Sequence, residues 1–356
     1  MISRKWSLLS VIACLFLTNC TKDKPDDSSE GGFLHGAYIS NEGAFGNSNG
    51  SVSYFDTDSA YIINHVFEAV NGRPLGDVVQ SMAVSGDKGF IIVNNSQKVE
   101  VVDLKTFASI GVIDGLEYPR SFLPVNTKKG YLTDGNFSGR VYVIDIETLI
   151  ITDTIPVGAG PEKLVQFKNN VIVTNSGGWG NDSTLSVIDT GTDKVIHTWM
   201  VGMNPADVLL DKNNLLWVLC KGKVVWNEDW TIGVETTSSL VAVDPETGSI
   251  KQTQNIGAVG DFYWPLHIGI NKNRDRVFYL ESGGIYSRSI TNGSTAGDPF
   301  IRGNFYGFGI DPETDLIYAL YAPSFTTSGW MFRHKTDGQR LDSLEVGIGP
   351  GQVVFN

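Results

Sequence analysis

Basic side chains are scarce in this 356-residue sequence, where 27 Lys and Arg face 39 Asp and Glu and give a formal net charge of −12. Nucleic-acid binding depends on Lys and Arg side chains that neutralise phosphates. No basic stripe supplies them here. We therefore expect no nucleic-acid partner, and we interpret the acidic surface as a source of solubility.

Histidine and cysteine are also few, with five His and three Cys. No two histidines form an H-x-H or H-x-x-x-H pair, the spacings typical of a local metal site. We predict neither a metal nor a cofactor, and we assign no catalytic residue. Cys220 lies in an apolar run and is expected to be a small buried hydrophobic side chain.

Hydrophobic runs long enough to span a bilayer are absent, and the apolar run Leu8–Leu17 is too short to do so. With the positive charges before it, this run is typical of a secretion signal, which we place at residues 1–19. The letters L-T-N-C that end at Cys20 resemble a bacterial lipobox. That resemblance implies cleavage before Cys20 and lipidation of its thiol. An ordinary signal peptide with an incidental cysteine is the alternative.

Residues 20–33 are rich in Lys, Asp, Ser and Gly, a composition that favours a disordered tether. Acidic residues shortly after Cys20 resemble the surface-export signal of Bacteroidetes lipoproteins, and a plain solvated linker is the alternative. Residues 34–356 then form the folded domain.

An internal repeat organises that domain, and its clearest copy is Pro161–Pro205. Four short apolar runs, separated by Asn, Gly, Ser or Asp, predict four strands within it. A Pro or Gly recurs at the same phase about every 42–45 residues, with one interval of 60. These markers are Pro74, Pro119, Pro161, Pro205, Pro265, Gly307 and Pro350. Such a period is typical of the four-stranded blades of a propeller.

Seven markers predict an all-β, seven-bladed β-propeller of four-stranded blades. The last predicted inner strand, Gln352–Phe355, has no outer strands after it, so we expect it to complete a blade begun by Ala37–Ser40, Val52–Phe55 and a strand near Ile62–Phe67. The long interval predicts an insertion at Lys221–Ser239, which we expect to be a loop.

A second marker is an apolar strand that ends in Asp, as at Asp103, Asp145, Asp189 and Asp244, where Asp is suited to open a turn. With Val171-Ile-Val-Thr-Asn175, these corners resemble the bacterial YVTN family of propeller repeats over residues 34–356. The resemblance implies the fold and leaves the activity open.

One face of the predicted ring is rich in aromatic and amide side chains. The loops between second and third strands and the connections between blades emerge there, and flat rings with nearby polar groups suit a broad ligand. Packing between blades is the alternative for any single Trp. The candidate ligand-binding residues are Glu42, Asn95, Arg120, Asn136, Arg140, Trp179, Trp226, Trp230, Tyr263, Trp264, His267, Tyr321 and Trp330.

These features resemble the surface-lipoprotein propellers of Bacteroidetes, and among them the cobalamin-capturing kind. The resemblance implies an outer-membrane, lipid-anchored protein that faces the exterior and passes a corrinoid to a TonB-dependent transporter. One alternative is a lactonase- or lyase-type enzyme, in which Glu42, Glu281 and Asp207 converge in the ring as acid or base. Another is a protein-interaction scaffold at the outer membrane.

Overall fold

The computed structural model describes residues 32–229, 231–234, 236–257, 267–291 and 297–356. Seven four-stranded antiparallel sheets form the blades of a propeller. The inner strand of each blade contacts the inner strands of the two neighbouring blades, so the seven inner strands form a closed cycle. The predicted seven-bladed fold is confirmed.

Strand bounds are given from the inner to the outer strand of each blade. Blade 1 is β30 (Pro350–Phe355), β1 (Ala37–Asn41), β2 (Ser51–Asp56) and β3 (Tyr61–Ile63). Blade 2 is β4 (Val79–Ser85), β5 (Lys88–Val93), β6 (Lys98–Asp103) and β7 (Ser109–Ile113). Blade 3 is β8 (Pro119–Pro124), β9 (Lys129–Asp134), β10 (Arg140–Asp145) and β11 (Ile150–Pro156). Blade 4 is β12 (Pro161–Phe167), β13 (Asn170–Asn175), β14 (Thr184–Asp189) and β15 (Lys194–Met200).

The remaining blades follow in the same order around the ring. Blade 5 is β16 (Pro205–Leu210), β17 (Leu216–Cys220), β20 (Ser238–Val243) and β21 (Ile250–Ile256). Blade 6 is β22 (Ile268–Ile270), β23 (Arg276–Glu281), β24 (Gly284–Ser289) and β25 (Ile301–Arg302). Blade 7 is β26 (Gly307–Ile310), β27 (Ile317–Tyr321), β28 (Ser328–His334) and β29 (Arg340–Ile348).

The last strand closes the ring. β30 pairs antiparallel with β1, from Ala37 opposite Phe355 to Asn41 opposite Pro350. Beyond the strand, the backbones of Gly36 and Asn356 exchange two hydrogen bonds of 3.1 and 3.2 Å. The predicted pairing of the C-terminal strand with the N-terminal blade is confirmed.

The predicted Asp corners are also present. The Oδ1 of Asp145 accepts hydrogen bonds from the backbone N–H groups of Glu147 and Thr148 at 2.9 and 2.8 Å. Asp189 accepts equivalent bonds from Gly191 and Thr192. Because these bonds satisfy donors that the turn leaves open, the Asp residues serve the scaffold.

Two local predictions were wrong. The strand expected near Ile62–Phe67 is only β3, and it is followed by the short helix α1 (Val66–Asn71), which buries Val66 and Phe67 in the cluster between blades 1 and 2. The insertion of blade 5 is not a plain loop. It contains the two-stranded hairpin β18 (Val224–Trp226) and β19 (Ile232–Val234), so Trp226 lies on a strand.

Large apolar side chains fill the spaces between neighbouring blades. Trp217 and Tyr131 are almost completely buried there, and Cys220 is buried in the cluster between blades 4 and 5, as predicted. In the part of the chain that the structure describes, no helix is long and apolar enough to cross a membrane.

The chain enters the domain at one defined face. We call the face that carries the loops between second and third strands the upper face, and the opposite one the lower face. Phe33 donates its backbone N–H to the Leu104 carbonyl at 3.0 Å, in the turn between β6 and β7 on the lower face. Its ring lies 5.1 Å from Tyr54 and 5.4 Å from Phe107. The predicted signal peptide, Cys20 and the tether up to residue 31 lie outside the described residues.

Deletion of Pro350–Asn356 tests the closure. Without β30, strand β1 becomes an unpaired edge and the buried side chains around Val353 lose their cover, so we expect the melting midpoint to fall by roughly 10 °C or more. Circular dichroism during heating measures it. The control removes only Asn356, which leaves β30 complete, and equal midpoints for the two deletions would contradict the closure argument.

Candidate functional site

Irregular pairing at the upper ends of five inner strands positions the site. The β-ladder shifts register between Val79 and Ser81, Pro119 and Phe122, Pro161 and Leu164, Pro205 and Asp207, and Pro350 and Gln352. Such bulges redirect side chains. The residues left outside the ladders are Gln80, Arg120, Ser121, Glu162, Lys163, Ala206 and Gly351. All of them except Ser121 line one cavity at the mouth of the central channel.

Buried threonines hold two of these bulges. The Oγ1 atoms of Thr133 and Thr174 accept the backbone N–H groups of Ser121 and Lys163, both at 3.0 Å. A side chain thereby replaces the ladder partner that the bulge removes. The direction of Arg120, Glu162 and Lys163 into the channel is therefore fixed by hydrogen bonds.

The cavity at the channel mouth, here called the mouth cavity, has a volume of about 610 Å³. Its wall contains Glu42, Gln80, Tyr118, Arg120, Glu162, Lys163, Asp207, Lys221, His267, Tyr306, Phe325 and Gln352. A second cavity of about 430 Å³ continues down the channel between apolar walls. Lys163, Asp207, His267 and Gln352 border both cavities.

An ion pair lies in the wall of the mouth cavity. Arg120 Nε lies 2.9 Å from Glu162 Oε2, Arg120 Nη1 donates to Gln80 Oε1 at 2.6 Å, and each charged side chain is 17% exposed. The guanidinium stacks 5.4 Å from the Tyr118 ring centre. Burial raises the pKa of Glu162, but Arg120 and then Lys221 outweigh it and hold that pKa below its usual value.

The carboxyl group of Glu42 lies in the cavity wall at blade 1 and pairs with a hydroxyl group instead of a cation. Both carboxyl oxygens of Glu42 are within 3.0–3.1 Å of the Tyr306 hydroxyl. Burial raises the pKa of Glu42, and the bond from Tyr306 and the charge of Arg120 only partly offset it. Glu42 and Glu162 are therefore shifted in opposite directions within one cavity.

His267 and Asp207 lie where the two cavities meet. Burial, followed by the positive charges of Lys163 and Lys221, lowers the pKa of His267 to about 3. Burial also raises the pKa of Asp207, whose carboxylate accepts backbone N–H groups from Val208 at 2.9 Å and Ile268 at 3.3 Å.

Exposed aromatic side chains lie on the same face of the propeller as this mouth, and Phe45 and Phe325 line the mouth cavity itself. Most exposed aromatic residues of the described chain lie on the upper face, and Tyr61 is the exception on the lower face. We call this group the aromatic rim. Its members are Phe45, Phe137, Trp179, Trp226, Phe325 and Trp330.

Trp179 connects the rim to the mouth cavity. Its side chain is 75% exposed, and its ring centre lies 6.1 Å from that of Tyr118 in the cavity wall. A Cβ atom on Gly160 would lie 1.8 Å from the Gly178 nitrogen, so only glycine lets the Trp179 loop lie this close to β12.

The structure brings some of the candidate residues together and separates others. Glu42, Arg120 and His267 share the mouth cavity with Asp207, whereas Glu281 does not line it.

Other candidate residues lie outside the mouth cavity. Asn136 and Arg140 both donate to Glu117 Oε2, at 2.7 and 2.9 Å. Asn95 donates to Asp77, and Tyr321 lies opposite Trp330 on neighbouring strands. Trp230, Tyr263 and Trp264 lie outside the described residues.

Sequence reasoning left Glu162, Lys163, Lys221 and Tyr306 out of the candidate set, although they line the mouth cavity. One signal was available. Arg120, Glu162 and Lys163 directly follow a Pro marker of the repeat. The Pro marker therefore indicates where each inner strand bulges, and the residues of the bulge form part of the cavity wall. No comparable sequence pattern predicts that Lys221, the first residue of the insertion in blade 5, lines the cavity.

A smaller cavity of about 150 Å³ lies beside α1 and contains Ser48, His65 and Glu68. Ser48 is the central residue of the letters G-N-S-N-G, which match a nucleophile-elbow pattern. That elbow requires a strand-to-helix turn, whereas Ser48 lies in a loop between two strands. No hydrogen bond joins Ser48 to His65 within the described residues. In the described residues, no group of three or more His, Cys, Asp or Glu could hold a metal ion.

Comparison with protein families identifies the domain. The model of a family described as "Domain of unknown function (DUF5074)" matches residues 35–335. The chain belongs to this family. A search of curated proteins finds no match for this DUF5074 chain.

Two solved structures are similar to the DUF5074 chain in fold. A quinonprotein alcohol dehydrogenase-like protein from Bacteroides thetaiotaomicron superposes with a TM-score of 0.67 at 14% identity, over 91% of this chain and 78% of that one. Hydrazine synthase from Kuenenia stuttgartiensis gives a TM-score of 0.53 at 16% identity, over 70% of this chain and 75% of that one. At these identities the similarity shows the propeller fold alone.

Glu162→Gln tests the ion pair. The substitution leaves Arg120 without an anionic partner in the cavity wall, and we expect the free energy of unfolding to fall by about 2–3 kcal/mol. Urea unfolding at neutral pH measures it. The control is Glu246→Gln, which breaks the exposed pair with Lys168 and is expected to cost less than about 1 kcal/mol. Equal costs would contradict the assignment.

His267→Gln tests the buried histidine. The ring stays neutral in the folded chain down to a pH of about 3, while an unfolded histidine takes up a proton near pH 6.5. The unfolded state therefore binds more protons in this window, and the wild-type chain loses stability as pH falls from 6.5 to 4. We expect a shallower loss in the variant, measured by urea unfolding across that range. The exposed-site variant His197→Gln is the matched control, and an unchanged slope in His267→Gln would contradict the burial argument.

Proposed function

We propose that this chain binds a small-molecule ligand on the upper face of the propeller while a lipid on Cys20 holds it at the outer membrane, facing the exterior. The repeats are assigned to the YVTN type in this proposal. The observation that carries it is the mouth cavity, which combines fixed charges with an aromatic rim. Its volume of about 610 Å³ is within the range of small-molecule sites.

Corrinoids are the first ligands to test, since the sequence resembles the cobalamin-capturing propellers. A corrin ring is broad and flat, and the rim offers flat side chains around a polar centre. In this proposal the rim contacts the ring while the charged wall orients the polar substituents. A TonB-dependent transporter then receives the ligand as the partner of the upper face.

An enzyme of the lactonase or lyase type is the second candidate, and one observation favours it. Glu42, Asp207 and His267 share one cavity, and the pKa of each is shifted by burial. Shifted pKa values are frequent among groups that transfer protons. Binding and catalysis differ in whether the ligand is recovered unchanged, which mass spectrometry after incubation decides.

Isothermal titration with cobalamin and with cobinamide tests the binding proposal, and heat from neither ligand would refute the corrinoid assignment. Trp179→Ala should weaken binding about tenfold or more, because a ring at the edge of the cavity is removed. The matched control is Tyr61→Ala, which removes an aromatic side chain of 63% exposure from the lower face. Equal affinities of the two variants would place the ligand away from the rim.

A further inference from the structure

The acidic groups of the mouth cavity already have hydrogen-bond donors from the protein. Glu162 accepts Arg120 at 2.9 Å, Glu42 accepts the hydroxyl of Tyr306, and Asp207 accepts two backbone N–H groups. A cationic ligand would have to compete with these donors. The carboxylates therefore complete the wall rather than offer a free site.

The basic groups of the same cavity have hydrogen-bond donors that the protein does not use. Within the described part of the chain, the ammonium groups of Lys163 and Lys221 form no hydrogen bond to the protein and no ion pair within 4 Å. Arg120 donates through Nε and Nη1, and its Nη2 forms no hydrogen bond to the described part of the chain. Partly buried ammonium groups without partners are costly, because desolvation is not offset.

Both lysines line the mouth cavity, and Lys163 also borders the cavity below it. Both lysines act on the pKa of His267, and Glu162, Arg120 and Asp207 act on that of Lys221. Three basic groups, Arg120, Lys163 and Lys221, line this cavity, and of these only Arg120 is in direct contact with a carboxylate, that of Glu162.

We infer that the ligand of the mouth cavity carries an anionic group, a carboxylate or a phosphate, which Lys163, Lys221 and the free edge of Arg120 bind together. The inference rests on the proposed ligand-binding function and specifies its ligand class. An anion would supply the acceptors that these donors lack. Tyr118 and Tyr306 in the same wall then contact the organic body of the ligand.

The probes are inorganic phosphate and succinate, titrated separately into the full chain by calorimetry at low salt. We expect at least one of them to bind with a Kd in the millimolar range, and the preferred probe distinguishes phosphate from carboxylate recognition. Lys163→Met and Lys221→Met together should weaken that binding at least tenfold. Lys221→Arg keeps the charge and should retain most of the affinity.

The control is Lys168→Met, which removes a lysine from the lower face and should bind as the wild-type chain does. Thermal unfolding verifies that each variant folds, and bound anion should raise the melting midpoint of the wild-type chain but not of the double variant. Failure of both anions to bind the wild-type chain, or equal binding by the double variant, overturns the inference. Corrinoid binding without anion binding would leave the proposed function in place, whereas loss of both would refute the two together.

Discussion

The pairing of β30 with β1 is the interaction on which the rest of the structure depends. Each inner strand contacts the inner strands of its two neighbours, so the channel exists only while the cycle is closed. The two strands that close it come from opposite ends of the chain. Every residue between Asn41 and Pro350 is therefore enclosed in one covalent and hydrogen-bonded loop. Local repeats build the blades, but this single long-range pairing fixes the radius of the ring.

Closure of the ring brings the irregular upper ends of the inner strands together around one space. In a flat sheet, a bulge would only interrupt a ladder. Around a closed channel, the bulges on blades 1 to 5 point toward a common axis. They place Arg120, Glu162 and Lys163 in one space of restricted solvation, where charges act strongly on each other. The opposite pKa shifts of Glu42 and Glu162 follow from this arrangement, since only Glu162 has a cation in direct contact.

The sequence predicted the scaffold well because the scaffold repeats. The Pro and Gly markers predicted the blades, and five of them are the first residues of inner strands, namely Pro119, Pro161, Pro205, Gly307 and Pro350. Features that depart from the repeat were harder to predict. Helix α1 and the hairpin of blade 5 occur once, so no other copy of the repeat indicates their conformation. The mouth cavity was predicted only in part, because it assembles side chains from blades far apart in sequence. Lys221 and Tyr306 become neighbours of Arg120 only after closure.

The docking of Phe33 on the lower face has a geometric consequence. If Cys20 carries the proposed lipid, the chain leaves the membrane and reaches the propeller at the turn that contains Leu104. Twelve residues lie between Cys20 and Phe33, and an extended chain from one Cα to the other spans at most about 45 Å. The lower face would then be directed toward the bilayer, and the aromatic rim would point into the medium. Such an orientation leaves the mouth open to solutes that arrive from outside, and a transporter in the same membrane could reach it only if the tether lets the whole domain turn over.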